Sequence, residues 1–600
     1  MKHHKFLGMG LLGVSAAVLL AACGGSGDTD PLQKYRAQAV SWNACEPDIL
    51  GITSDEIRQA WAQAGDRVRC ATIHAPMDWS HPDRGDVVIS MMRMAAATPA
   101  HRKGSFLLNP GGPGSDGLPL AFRFFMAFND SNPDNPQGAQ QLQLLDQYDM
   151  VGFSPRGVGA STRLECSTNE LLRPEVTNRA TWDTPENIGN IEYNSAKKAE
   201  ACAKNPLTPY INSDATARDL DLMRGLLGDE KLHYMGYSYG TWLGSWYASL
   251  FPERVGRMLL DSSVDFTVTF EQTVTLSQPM ARQQLFEDFM APYLARHNDL
   301  VALGSTAAEV RAIPARLDPS LLQLLGGQLA SLGYKRANAN DYVGMVIAIN
   351  GLDAVLKSAP DVSDQPAVTA AIEQHVFSGT DQELNADMRE AAAALYAAYL
   401  KLKNPSTAPG PSIRLGPSEA TYMAIGCNDT PVVTDASTWL GTVRQYAQQF
   451  PMFFQYVLTV HECAYWGGPK VSKPDIAPMK PLDILFVQSQ YDAATATFGA
   501  DKFFAQLPGA RRVYVANEFA HGIYPYGDRC VDPRVTAYLL GESWGVREAV
   551  CEGLPLPFDG ADSMDQKSAG AEAPVYKNPE RTRKLLDEFQ RGLGPVQPLL

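Results

Sequence analysis

The residues best able to do chemistry in this chain are a serine set between glycines, a late aspartate and a late histidine. Gly236-Tyr237-Ser238-Tyr239-Gly240 follows a strand-like run at 232–235 and opens a helical stretch at 241–250. A serine on such a strand-turn-helix bend is presented as a nucleophile, and bulky residues two before or two after it would collide. With 49 glycines in 600 residues the five-residue pattern says little by itself; its setting makes it informative. A serine hydroxyl attacks only when a base takes its proton and an acid orients that base. Asp492 stands in the loop after the apolar run 483–487, and His521, in Ala520-His521-Gly522, lies six residues past the run 513–515. Asp492 also reads as a turn aspartate and His521 as a structural histidine, but the order Ser238, Asp492, His521 suits an acid and a base that follow the nucleophile. His233 sits inside a strand, and His74, His81 and His101 precede the serine.

An attacked carbonyl needs donors for its oxyanion. The amide of Tyr239, at the start of a helix, is one; the glycine-rich stretch Asn109-Pro110-Gly111-Gly112-Pro113-Gly114, with Gly112 as the expected donor, supplies the other. That stretch also reads as a plain turn. It has neither GxGxxG nor the Lys-Ser/Thr of a phosphate loop, so no nucleotide is expected there. No cofactor and no metal are expected either: the ten histidines are scattered, and His461-Glu462-Cys463 lacks a second spaced pair of ligands.

The elements that must position these groups alternate between short apolar runs and helical stretches, the pattern of an α/β fold with a mostly parallel sheet. Strands are predicted at 105–108, 148–152, 232–235, 257–260, 482–487 and 512–515, each ending in a polar or glycine-rich loop where such sheets bind ligands. Asp214-Ala215-Thr216 reads as the start of a core-facing helix. Between 265 and 426 the alternation gives way to Ala- and Leu-rich helical patterns such as 307–332 and 385–403. The expected organisation is a signal segment at 1–23, a tether at 24–40, a first core part at 41–264, a helical cap inserted at 265–426, a second core part at 427–558, and a polar tail with a short helix at 559–600.

Hydrophobic residues make up 45% and charged residues 20%, which excludes a disordered or fibrous chain. The net charge of −15 repels a phosphate backbone, so nucleic acid is not an expected partner. Lys2 and Lys5 precede an apolar run, Phe6 to Leu20, that is too short to cross a bilayer, where about 20 residues are needed. The run ends in Leu20-Ala21-Ala22-Cys23, which resembles a bacterial lipobox and implies export, acylation of Cys23 and a membrane-anchored, extracytoplasmic protein. Eight cysteines remain, an even number for an oxidising compartment, and sequential bridges Cys45–Cys70, Cys166–Cys202, Cys427–Cys463 and Cys530–Cys551 are expected.

Asn109 to Gly114 resembles the HGGPG element of proline iminopeptidases, with Asn-Pro in place of the leading His. Gly152 to Ser161 resembles the DxRGxGxS stretch of the same family. With the elbow, Val255 to Asp261, Asp492-Ala493-Ala494-Thr495, His521-Gly522 and the Cys530/Cys551 segment, the chain resembles the secreted tripeptidyl aminopeptidases with their characteristic C-terminal region. The resemblance implies an α/β-hydrolase core with a helical cap, acting on peptides with a free N-terminus through an acyl-enzyme. It also implies acidic groups, largely from the cap, that hold the substrate ammonium; Glu271, Glu287, Asp288, Asp353 and Asn428-Asp429 are candidates, each equally a solvated surface charge. Thr495 resembles the small hydroxyl residue that follows the acid in that family. Two other readings stay open: an esterase or lipase-like hydrolase on the same three residues, and a non-catalytic surface-binding protein that keeps the fold.

Overall fold

The computed structural model describes residues 30–46, 54–379, 381–542, 545–560, 573–591 and 593. The expected signal segment with Cys23, residues 24–29 of the tether, and residues 561–572, 592 and 594–600 of the polar tail lie outside them. One sheet holds nine strands in the order β1-β2-β4-β3-β6-β7-β9-β10-β11. They are β1 Val68–Pro76, β2 Asp86–Met94, β3 Gly104–Asn109, β4 Tyr148–Ser154, β6 Leu232–Tyr237, β7 Val255–Asp261, β9 Ile484–Ser489, β10 Arg511–Ala516 and β11 Glu548–Glu552. β5 Cys166–Leu171 and β8 Ser412–Leu415 form a separate antiparallel pair. Neighbours from β4 through β11 are parallel, and β2 runs antiparallel to both β1 and β4. The fold is that of the α/β hydrolases.

Parallel strands need crossover connections, and the helices that make them cover both faces. Every residue of β3, β4 and β9 is accordingly buried. Alternate side chains feed two cores: Leu107, Val151 and Phe486 pack on one face, while Phe106, Leu108, Met150 and Leu485 pack on the other. All six strands predicted from apolar runs are present. β1 and β2 are not among them; β1, the edge strand, has a wetter face and alternates Arg69, Thr72 and His74 with its buried residues. The helix expected to start at Asp214 starts one residue earlier, capped by the Asn212 side chain on the amide of Ala215.

Between β7 and β9 the chain is mostly helical, with the short strand β8 within it. Pro319–Leu332, Ala339–Ser358 and Gln382–Lys403 surround a core of their own built on Leu325, Ile347, Leu352 and Leu395. The helical pattern predicted at 307–332 is present as three helices, Ala307–Arg311, Ile313–Arg316 and Pro319–Leu332, because Pro314 and Pro319 cannot donate to a continuing ladder and sit in the first turns of new helices. Bridges join Cys45 to Cys70, Cys166 to Cys202, Cys427 to Cys463 and Cys530 to Cys551. Beneath the sheet's carboxyl end, Arg156 is buried in a two-pronged pair with Asp219, Nε and Nη2 each donating at 2.7 Å.

The topology puts the carboxyl ends of β3, β6, β7, β9 and β10 side by side. The loops that leave them carry Gly111 to Gly114, Ser238, Asp261 to Ser263, Asp492 and His521.

Candidate active site

Ser238 stands between β6 and the helix Tyr239–Leu250 with φ 57° and ψ −124°, a conformation that costs a non-glycine residue about 1–3 kcal/mol. Main-chain bonds hold it there: its amide donates to Asp261 O at 3.1 Å, and its carbonyl accepts from the Thr241 amide at 2.8 Å. The flanking glycines are a steric necessity, since a Cβ on Gly236 would stand 2.3 Å from Gly240 O, and one on Gly240 would stand 2.8 Å from Asn109 O. The glycine-rich loop lies directly on this bend. A Cβ on Gly111 would stand 2.8 Å from Ser238 Cβ, and φ of 97° at Gly111 and 105° at Gly112 suits glycine alone. Asn109 Oδ1 braces the loop by accepting from the Gly111 amide at 3.0 Å, and Ser418 Oγ pins its far end by donating to Gly114 O at 2.6 Å.

Asp492 and His521 are brought together. His521 Nδ1 donates to Oδ2 at 3.0 Å and Oδ1 at 3.1 Å, which leaves Nε2 as the proton-accepting nitrogen. The carboxylate also accepts from the amides of Ala494 and Thr495 and from Thr495 Oγ1, each at 2.9 Å. The His521 amide donates to Tyr334 O at 2.8 Å, and the Tyr334 ring meets the imidazole edge-on at 5.8 Å. Ser238 Oγ makes no hydrogen bond to His521; in unliganded sites such bonds are commonly loose and tighten with substrate.

What joins the serine to the other two is a residue that sequence reasoning passed over. Asp261, at the end of β7, receives the Ser238 amide on its carbonyl, while its carboxyl accepts from the amides of Ile523 at 2.9 Å and Tyr524 at 2.7 Å. Its neighbour Ser262 accepts the Gly522 amide at 2.8 Å. The bend and the histidine loop thus hang on one strand end. Burial pushes Asp261 up to about 7 against those donors, with the His521 ring lowering it and Asp492 raising it. Its signal in the sequence is a carboxylate closing the apolar run Met258-Leu259-Leu260. Asp261→Asn keeps the shape but turns one acceptor into a donor facing a backbone N–H, so kcat is expected to fall about 10- to 100-fold with KM nearly unchanged. Steady-state kinetics on a chromogenic substrate check this, and a change confined to KM would count against it.

The candidates for an ammonium site separate cleanly. Asp429 is buried behind the bend, accepting from Ser213 and Trp242, and Asn428 is spent on Thr208 O, Ile211 O and the Trp466 indole. Asp353 pairs with Lys357 in the cap at 2.6 Å, Glu287 accepts from Gln283 there, and Asp288 is exposed beside Arg311. Asp288 also borders a surface cavity, beside Arg296 and Tyr491, whereas Glu271 faces one of about 210 Å³ that Glu175, Glu419 and Glu462 also line. One cation, Lys198, stands among the four glutamates and pairs with Glu462 at 3.0 Å. Burial pushes Glu175, Glu271 and Glu419 above their ordinary values. The cavity adjoins the bend: Phe270 lines it and packs edge-on against Tyr239 at 6.2 Å, and Glu419 follows the serine that pins Gly114. Among the described residues no cluster of three or more His, Cys, Asp or Glu is placed to hold a metal, and no helix is long and apolar enough to cross a membrane.

Residues 104–357 match the family described as alpha/beta hydrolase fold, and residues 450–571 match that described as TAP-like protein. A tripeptidyl aminopeptidase of Streptomyces coelicolor is 28% identical over 503 residues, covering 82% of this chain and 84% of that one. The serine protease Hip1 of Mycobacterium tuberculosis is 27% identical over 498 residues, covering 80% and 87%. A carboxylesterase B of the same organism is 26% identical over 533 residues, covering 86% and 90%.

Proposed function

This chain is an α/β-hydrolase-fold serine hydrolase with a TAP-like C-terminal region, and on that basis we propose that it is an exported aminopeptidase that removes short peptides or residues from free N-termini. Ser238 Oγ attacks the scissile carbonyl and gives its proton to His521 Nε2. Asp492 stabilises the imidazolium, and the amides of Gly112 and Tyr239 receive the oxyanion. The imidazolium then protonates the departing amine, leaving the N-terminal part of the substrate as an ester on Ser238. Water, deprotonated by the same imidazole, cleaves that ester and restores the hydroxyl.

The observation that carries the aminopeptidase reading is the glutamate-lined cavity beside the bend. Carboxyl groups raised by burial regain their charge when a cation enters, so the cavity suits an ammonium group and disfavours an acyl chain. Glu271→Gln with Glu419→Gln is expected to raise KM for free-amine peptides by about 10- to 100-fold while leaving kcat less affected. A peptide-library digest read by mass spectrometry tests the whole reading: cleavage close to free N-termini and none in N-acetylated copies is expected. Equal cleavage of both, or turnover of short esters alone, would move the enzyme to the esterase class represented by the carboxylesterase B relative.

Membrane attachment through an acylated Cys23 belongs to the same proposal, supported by the Leu20-Ala21-Ala22-Cys23 sequence. Labelled palmitate should enter the wild-type protein and not Cys23→Ser; incorporation by the serine variant would remove the anchor.

A further inference from the structure

Among the described residues only two arginines are buried to within 2% exposure, Arg156 and Arg282. Arg156 is neutralised by Asp219. Arg282, in the cap helix Ser277–Gln284, has no carboxylate within ion-pair distance, and its Nε has no partner at all. Its Nη2 donates to Gln278 Oε1 at 2.8 Å and to Tyr334 Oη at 2.6 Å, both neutral. The guanidinium also stands 5.1 Å from the Tyr456 ring centroid and 5.7 Å from that of Tyr334. Aromatic faces and neutral acceptors offset part of the desolvation of a cation, but a deeply buried charge is ordinarily matched by an opposite one.

The neighbours of Arg282 are the walls of the site. Gln278 Nε2 donates to Ala494 O at 3.0 Å, in the loop of Asp492. Tyr334 carries the ring and the carbonyl that seat His521. Tyr456 is hydrogen-bonded to Tyr422 at 2.8 Å, and both line the glutamate cavity. Arg282 therefore lies between the place proposed for the substrate ammonium and the reacting histidine, a stretch that the acyl part of a peptide must cross.

We infer that Arg282 is a substrate-recognition residue, the partner of a side-chain carboxylate on the N-terminal side of the scissile bond. This rests on the aminopeptidase reading above. A backbone carbonyl would satisfy Nε but leave the charge unmatched; an Asp or Glu side chain does both. Peptides with such a residue are then preferred over their amide isosteres.

The test uses free-amine peptides of one sequence with Glu or Gln at each position between the N-terminus and the cut, in wild-type enzyme, Arg282→Gln and Arg282→Lys. At one position the wild-type Glu/Gln ratio of kcat/KM is expected to be about tenfold or more. In Arg282→Gln that ratio falls to about one whatever the absolute rates, and Arg282→Lys, which keeps the charge, retains a ratio above one. A wild-type ratio near one at every position, or a ratio unaltered in Arg282→Gln, overturns the inference. The wild-type measurement decides even if the glutamine variant does not fold. Failure to cut either peptide, with esters still hydrolysed, would overturn the aminopeptidase reading and this inference with it, whereas cutting without discrimination overturns this inference alone.

Discussion

Ser238→Ala lowers kcat by about 10⁵- to 10⁶-fold and abolishes labelling by a fluorophosphonate, while the protein stays folded. The size follows from what is lost. Without Oγ there is no acyl-enzyme, and the remaining acceleration comes from oxyanion donors and substrate binding alone. The fold survives because what pins the bend is main chain: the amide to Asp261 O and the carbonyl to Thr241, neither of which needs the side chain. Alanine carries the same Cβ as serine, so the strain of φ 57° is already present in the wild-type protein and the substitution adds none. His521→Ala has a comparable effect, and the double variant is expected to be no worse than either single one, since nucleophile and base act as one unit. Fluorophosphonate labelling read by intact mass, together with urea unfolding, separates the outcomes. Retention of more than a few per cent activity in folded Ser238→Ala would place the reaction elsewhere. Silence of the folded wild-type protein toward the reagent would favour a surface-binding protein that kept the scaffold.

How far the sequence carries can be judged from particular residues. The strands that hold the site are central and parallel, so each carries a short apolar run before its loop, and that loop is marked by glycine or a charged residue. Ser238, Asp492 and His521 are legible because each follows such a run, in order. Asp261 follows one too, but its partners Ile523 and Tyr524 are met only through the sheet order, in which β7 and β10 flank β9. The glutamate cavity is harder still. Glu175 comes from a loop after β5, Glu271 and Glu419 from opposite ends of the insertion, and Glu462 from a short turn tied by the Cys427–Cys463 bridge. No spacing rule links them; only packing does. Arg282 looks like any helix-face cation until its surroundings show it buried. The edge strands β1 and β11 escape for a different reason, since half-wet strands carry polar residues and do not read as apolar runs.

Stability is expected to fall steeply as pH rises from about 6.5 to 8, a direction opposite to ordinary acid denaturation. Among the carboxyl groups that burial raises, three are brought close to neutral pH: Asp261 and Asp429 at about 7, and Asp532 at about 8 with Asp528 adding to the rise. In the unfolded chain each ionises near 3.9, so between that value and its native one the folded protein holds the extra proton, and stability declines with pH. Two buried histidines pull the other way. His233 and His461 are lowered to about 4, mainly by burial, so up to their unfolded value near 6.5 the unfolded chain binds those two protons instead. Among these five groups the balance below 6.5 is two protons on the unfolded side against three on the folded side, and their slope is shallow. Above 6.5 the histidines drop out, and three protons on the folded side remain until the carboxyls ionise. Each net proton is worth about 1.4 kcal/mol per pH unit, so the slope is of the order of 1–4 kcal/mol per unit there. Urea midpoints at pH 5.5, 6.5, 7.5 and 8.5 read it directly, and a flat or rising midpoint above 6.5 would show these carboxyls already ionised in the native protein. Asp261→Asn should flatten the slope and lower kcat together, because the carboxyl that titrates is the one holding the amides of Ile523 and Tyr524 beside His521. Asp429→Asn should flatten the slope and spare kcat, since Asp429 ties Ser213 and Trp242 behind the bend and touches none of the reacting groups.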